Sequence, residues 1–188
     1  MFKIPILYLA YNRPNITKQT LKNIIKLNPY KLYISVDGPK KNSQDQSKVG
    51  DVRKTINKLK NLNKKMIVKK QINFKNLGCK KNNLKAINWF FKNESMGIII
   101  EDDCLIDNHF LIFCKNMLER YKYNKKIFCI SGSNFQKKKI SKESYYYSKY
   151  NHCWGWATWR NRWKFNRSEI NFWPKYKKSK QWNELHKN

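Results

Sequence analysis

Three consecutive carboxylates, Glu101-Asp102-Asp103, stand out in a chain that has only twelve acidic residues and a net charge of +29. They follow directly on the apolar run Gly97-Ile98-Ile99-Ile100. Adjacent like charges repel and raise one another's pKa unless something positive compensates. A hard divalent cation compensates with oxygen ligation, and it can bridge a carboxylate to a diphosphate and stabilise a leaving group that gains negative charge. Mn2+ or Mg2+ is therefore the cofactor expected at the triplet. The plainer alternative is a solvated turn, or carboxylates paired with the abundant lysines.

The triplet needs a frame, and the hydropathy pattern supplies one. Segments at 4–10, 31–36, 65–70, 97–100 and 127–130 read as strands, the first and fourth of them apolar runs. Between them, Ile16/Leu21/Ile24, Val49/Val52/Ile56, Leu84/Ile87/Phe91 and Phe110/Phe113/Met117/Tyr121 recur at helical spacing. Strand and helix in alternation predict an α/β fold with a mostly parallel sheet flanked by helices. In such sheets, ligands bind beyond the carboxyl ends of the strands, where the triplet falls. The turn residues Arg13-Pro14 and Asp37-Gly38-Pro39 also follow strands. Residues 1–135 read as the ligand-binding α/β region. Residues 136–188 read as a loop and an aromatic, basic segment of the same domain. Trp156, Trp159 and Trp163 lie at helical spacing, and Trp159 and Trp163 are expected in the core.

Length and composition set limits. The 188 residues suffice for one domain with a proper core. The five cysteines are odd in number and contain no CxxC pair, which suits reduced thiols in a cytoplasm. The positive charge is nearly all lysine spread along the chain, with six arginines. Drift in an AT-rich genome and a basic surface resting on anionic lipid both account for it. The pattern contains no nucleic-acid-binding motif, so no specific nucleic acid is expected as partner. The expected location is cytoplasmic, with a peripheral membrane position as the second option.

Four segments, in order, resemble the GT-A fold of nucleotide-sugar-dependent glycosyltransferases. The likeness is to the N-acetylglucosaminyltransferase I family and to bacterial proteins with a related domain. The segments are Leu7 to Pro14, Ile34-Ser35-Val36-Asp37-Gly38, Gly97 to Asp103 with the Phe110 helix, and Trp154-Gly155-Trp156. The resemblance implies a metal-dependent transferase moving a hexosyl or N-acetylhexosaminyl group, inverting by analogy. The donor is a nucleotide-diphosphate sugar, UDP-linked by the same analogy, and the acceptor a saccharide or lipid-linked molecule. It implies Asp103 as metal ligand and Glu101 and Asp102 as donor-binding or site-ordering residues. It also implies Asp37 as acceptor of a uracil hydrogen bond, Arg13 at the nucleotide or diphosphate, and Asn82 in the donor site. Trp154, Gly155 and Trp156 fall on the acceptor side. The family's catalytic base is an aspartate shortly before Gly-Trp, and the matching stretch Ser148 to Cys153 has no carboxylate. His152, with Glu143 on the preceding loop, is the candidate base. Two other readings stand beside the transferase: a nucleotide-sugar-binding fragment impaired in transfer, its acceptor half truncated, and a basic nucleic-acid-binding module.

Overall fold

A computed structural model describes residues 1–61, 66–138, 142–167, 169 and 171–185. Six strands form one sheet in the order β3-β2-β1-β4-β6-β5. The strands β1 (Ile6–Ala10), β2 (Lys31–Val36), β3 (Ile67–Ile72) and β4 (Met96–Glu101) run parallel. β6 (Trp156–Trp159) pairs antiparallel with β4 and with the two-residue β5 (Ile130–Ser131). The central strands are apolar throughout because both faces are covered. Ile6, Tyr8 and Ala10 enter one core with Leu21, Ile24, Val52 and Leu111, whereas Leu7 and Leu9 enter a second with Ile87, Phe90 and Phe91. Helices α1 (Pro14–Lys26), α2 (Ser43–Asn57) and α4 (Asn108–Arg120) thus cover one face, and α3 (Cys79–Asn93) covers the other.

Three expectations change. The spacing of Trp156, Trp159 and Trp163 is not that of one helix. Trp156–Trp159 is strand β6, and a single helical turn, α5 (Arg160–Trp163), begins after it. Alternation along the strand buries Ala157 and Trp159 in the first core. Trp156 turns to the second, where its ring meets Trp163 at 6.1 Å. The Trp159 indole N–H donates to Leu118 O at 3.2 Å. The run 127–130 is strand only at its last residue, which pairs with Ala157. Phe128 is exposed and its carbonyl accepts instead from the Thr158 hydroxyl at 2.6 Å. The expected strand at 65–70 begins at Ile67; Lys65 lies outside the described residues. Downstream, α6 (Trp173–Tyr176) and α7 (Lys180–Leu185) occupy part of the segment that lacks a core pattern.

Buried Arg162 locks α4 to the β6-α5 corner. Its Nη2 donates to the carbonyls of Tyr121, Lys122 and Asn124 at 3.0–3.1 Å, beyond the end of α4. Its guanidinium stacks 4.2 Å from the Trp159 ring. α4 in turn carries Asp107 and Phe110 to the site described next.

Candidate functional site

β1 lies between β2 and β4, and the chain leaves β1 toward β2, so the β1/β4 gap is a topological switch point. Arg13 follows β1 and the triplet ends β4, and the two meet there. Asp102 accepts the Tyr11 N–H at 2.9 Å and forms an ion pair with Arg13 Nη1. The same nitrogen stands 3.9 Å from Asp103 Oδ2. Burial pushes the Asp102 carboxyl up, and the Arg13 guanidinium and Tyr11 N–H pull against it. α1 supports the turn behind the triplet: Thr20 Oγ1 donates to Cys104 O at 2.9 Å and Asn23 Nδ2 to Ile106 O at 2.8 Å.

The three carboxylates differ. Asp102 is nearly buried and held by Arg13, whereas the Asp103 side chain is 39% exposed. Glu101 is pushed up to about 7, by burial first and then by repulsion from Asp103 and Asp102, with Arg13 opposing. One guanidinium therefore faces three carboxylates, and the excess negative charge is what an added cation would neutralise. Among the described residues no group of three or more His, Cys, Asp or Glu side chains forms a complete metal cage. Asp103 and the triplet's uncompensated charge fit an added divalent cation.

The raised Glu101 value has a consequence for stability. A carboxylate whose pKa rises on folding makes the folded state bind the proton more tightly. Its contribution is full below the ordinary value of 4.5 and is lost as pH climbs through about 7. Glu101→Gln should therefore melt higher than the parent at pH 8 in EDTA and equally at pH 4. Glu101 is partly exposed, so after discounting for solvent screening the gain is about 1 kcal/mol, or about 2–4 °C for a chain of this size. Equal melting at both pH values would show that Glu101 is not strained by its neighbours.

Asp37 follows β2 directly and is buried. Its Oδ1 accepts the N–H groups of Gly38 at 2.8 Å and Leu77 at 2.9 Å. Its Oδ2 accepts Gly78 N–H at 3.0 Å and Asn76 Nδ2 at 3.2 Å. Four bonds fill a carboxylate's acceptor sites. As folded, Asp37 ties the loop after β3 to the end of β2, and contact with a base would require exchanging one of these bonds. Gly38 permits the tie, since a Cβ there would lie 2.3 Å from the Lys75 carbonyl carbon. Asn82 is buried and accepts from Asn73 Nδ2 at 2.8 Å, with Lys85 Nζ donating to Asn73 Oδ1 at 2.6 Å. It joins α3 to the loop after β3, apart from the Arg13–triplet pair.

Asp45 was not singled out by the sequence. It accepts from Tyr11 Oη, Asn12 Nδ2 and the Lys40 N–H, each at 2.6 Å. Burial opposes its ionisation, but the bonds from Tyr11, Lys40 and Asn12 prevail and hold its carboxyl below the ordinary value. Asp45 thereby fixes the loop that carries Arg13. The only available signal was Asn42-x-x-Asp45, where Asn42 Oδ1 caps α2 through the Asp45 N–H at 2.8 Å.

Two cavities meet beside the triplet. A cleft of about 640 Å3 is lined by Asp103, Asp107, Phe110, Ser133, Trp154 and Gly155, among others. Gly155 has φ +72°, and a Cβ there would stand 3.2 Å from Phe110 Cζ, so glycine lets the loop close over that ring. A groove of about 970 Å3 extends from it between α4 and residues 144–152, and Asp107, Phe110, Gly132 and Ser133 line both. Its wall carries a hydroxyl cluster, with Tyr121 Oη 2.6 Å from both Tyr145 Oη and Tyr147 Oη. His152 and Trp156 line the groove, and His152 packs edge-on to Phe135 at 4.7 Å. Glu143 is exposed and lines neither cavity. The carboxylate at the junction is Asp107. Its Oδ1 caps α4 through the Phe110 N–H at 2.8 Å, and its Oδ2 stands 3.8 Å from His109 Nδ1. The sequence disguises it as an ordinary helix cap.

No curated protein matches the chain. A solved mannosyltransferase from Pyrobaculum calidifontis, in complex with GDP-Man and Mn2+, aligns at 12% identity and a TM-score of 0.46 over 68% of this chain. The chain covers 34% of that enzyme's length. The 4-diphosphocytidyl-2C-methyl-D-erythritol synthase from Anaerococcus prevotii DSM 20548 aligns at 8% identity and a TM-score of 0.51, covering 95% of this chain and 78% of its own. The fold is the expected α/β class, a mostly parallel sheet flanked by helices, and the synthase shares it. The family match extends over residues 1–184, from β1 to the last helix, and on that evidence the chain belongs to the GNT-I family.

Proposed function

We propose that the chain is the donor-binding and catalytic part of a metal-dependent glycosyltransferase that takes a sugar from a nucleotide-diphosphate donor, UDP-sugars being the first class to test. The observation that carries this reading is the Arg13–Asp102 pair at the switch point, which leaves Asp103 exposed toward the cleft. Mn2+ or Mg2+ held by Asp103 supplies charge neutralisation for the diphosphate. Arg13 adds a fixed positive charge beside it, and the Asp102 bond holds its guanidinium in place. Asp37 and Asp45 act at one remove, by fixing the loops around the donor. Trp154, exposed on the cleft wall, offers a ring face to a sugar.

Transfer joins the acceptor hydroxyl oxygen to the anomeric carbon as the bond from that carbon to the diphosphate oxygen breaks, and the hydroxyl proton must be taken up. We assign that proton to Asp107, because it lines both the donor cleft and the groove that would hold the acceptor. The groove's tyrosine hydroxyls and ring faces suit a saccharide. Incubating the protein with Mn2+ and a panel of radiolabelled nucleotide-sugars, with and without saccharide acceptors, tests the reading. Release of free sugar or formation of a glycoside supports it, and an inert panel with measurable donor binding would favour the impaired-fragment alternative.

A further inference from the structure

Residues 165–182 carry a group of aromatic rings that belongs to neither core. Trp173 and Trp182 meet edge to face at 4.9 Å, and Tyr176 contacts both at 5.9–6.2 Å. Phe165, Phe172 and Trp173 are 64%, 49% and 40% exposed. From Phe172 to Trp182 the chain has four lysines, Lys175, Lys177, Lys178 and Lys180, and no carboxylate. Upstream, exposed Phe128 meets Phe165 at 6.5 Å, and Lys122 and Lys164 lie over the rings of Tyr123 and Phe165. Amphipathic rings among ammonium groups suit the headgroup layer of a membrane, where tryptophan and tyrosine find both an apolar and a wet side. Each lysine near an anionic leaflet adds attraction.

We propose that this aromatic and lysine-rich surface, Tyr123 to Phe128 with Lys164, Phe165 and Phe172 to Trp182, seats the protein on an anionic lipid surface. No helix among the described residues is long and apolar enough to cross a membrane, so the contact is peripheral. The groove gives the surface a purpose, which rests on the transferase reading. It runs from Asp107 at the donor cleft to Lys126, Phe128 and Phe165, so an acceptor whose lipid end stays in the membrane could reach the donor.

Co-sedimentation of the full chain with phosphatidylcholine vesicles, with and without 30% phosphatidylglycerol, tests the seat. Binding is expected only with the anionic lipid, weakening as salt rises. Replacing Lys175, Lys177, Lys178 and Lys180 together by Gln should lower partitioning about tenfold or more. The pair Trp173→Ala and Trp182→Ala should lower it as well, and brominated lipid should quench the parent's tryptophan fluorescence. Neither variant touches either core, so both should melt and bind Mn2+ and UDP as the parent does, and failure of the lipid seat is thus distinguishable from failure of the donor site. The proposal is overturned if vesicles of both compositions leave the protein in the supernatant, or if both variants bind as the parent does. It is also overturned if the tryptophan variant instead dissolves a dimer, or if the surface retains RNA while ignoring vesicles.

Discussion

Asp103→Ala is expected to abolish metal-dependent donor binding while leaving the fold intact. Asp103 is the exposed carboxylate of the triplet, and its one ionic neighbour among the described residues, Arg13 at 3.9 Å, is already paired with Asp102. Its removal costs the core only the weak bond from the Cys104 thiol at 3.5 Å, so the melting temperature in EDTA should change by little more than a surface substitution allows, about 0.5 kcal/mol. With Mn2+ present, the nucleotide-sugar should bind about 100-fold or more weaker, because the substitution removes the triplet's exposed carboxylate, the one that would share the ion with the diphosphate. Asp102→Ala should behave differently. It frees Arg13 and the Tyr11 N–H and so damages both the loop after β1 and the donor site. Calorimetric titration beside a melting curve separates the two outcomes. Equal loss of stability in both variants would make the triplet a structural turn.

The second large effect concerns the proton. Asp107→Asn should reduce kcat by about 10²–10⁴ with donor affinity unchanged. Asparagine is as good a helix cap as aspartate, so α4 and Phe110 should stay in place. What the variant loses is the ability to take a proton at the junction of cleft and groove. His152→Asn is the matched comparison. His152 lies in the groove but not in the donor cleft, and its removal should affect acceptor KM more than kcat. The reverse pattern, an active Asp107→Asn and a dead His152→Asn, would return the base to the histidine.

What could be read from the sequence was local, and what could not was pairwise. The central parallel strands β1 and β4 were legible because burial on both faces demands unbroken apolar runs, and Ile98-Ile99-Ile100 leads straight into the triplet. The placement of Arg13, Asp37 and the triplet beyond consecutive strand ends followed from that. Contacts across long separations left no mark. Arg13 and Asp102 are 89 residues apart, and only the strand order brings them together. Asp37 looked free to meet a ligand because nothing local shows that Leu77 and Gly78 donate to it. Trp156 and Trp159 misled because a strand joined to a helical turn reproduces the spacing of a single helix. Asp107 and Asp45 each sit near a helix start, where a carboxylate needs no further explanation.

The central claim is that this domain binds a nucleotide-diphosphate sugar through a divalent ion at Asp103. Its most direct test is the melting temperature of the parent with UDP-sugars, measured with Mn2+ and again in excess EDTA. A ligand that binds the native state at about 100 times its Kd stabilises by roughly 2.7 kcal/mol, which for a chain of this size raises the melting temperature by several degrees. The structure predicts that rise with Mn2+ and the sugar nucleotide together, and none with either alone or with Asp103→Ala. A rise of the same size in EDTA, or none under any condition across the nucleotide panel, would contradict it.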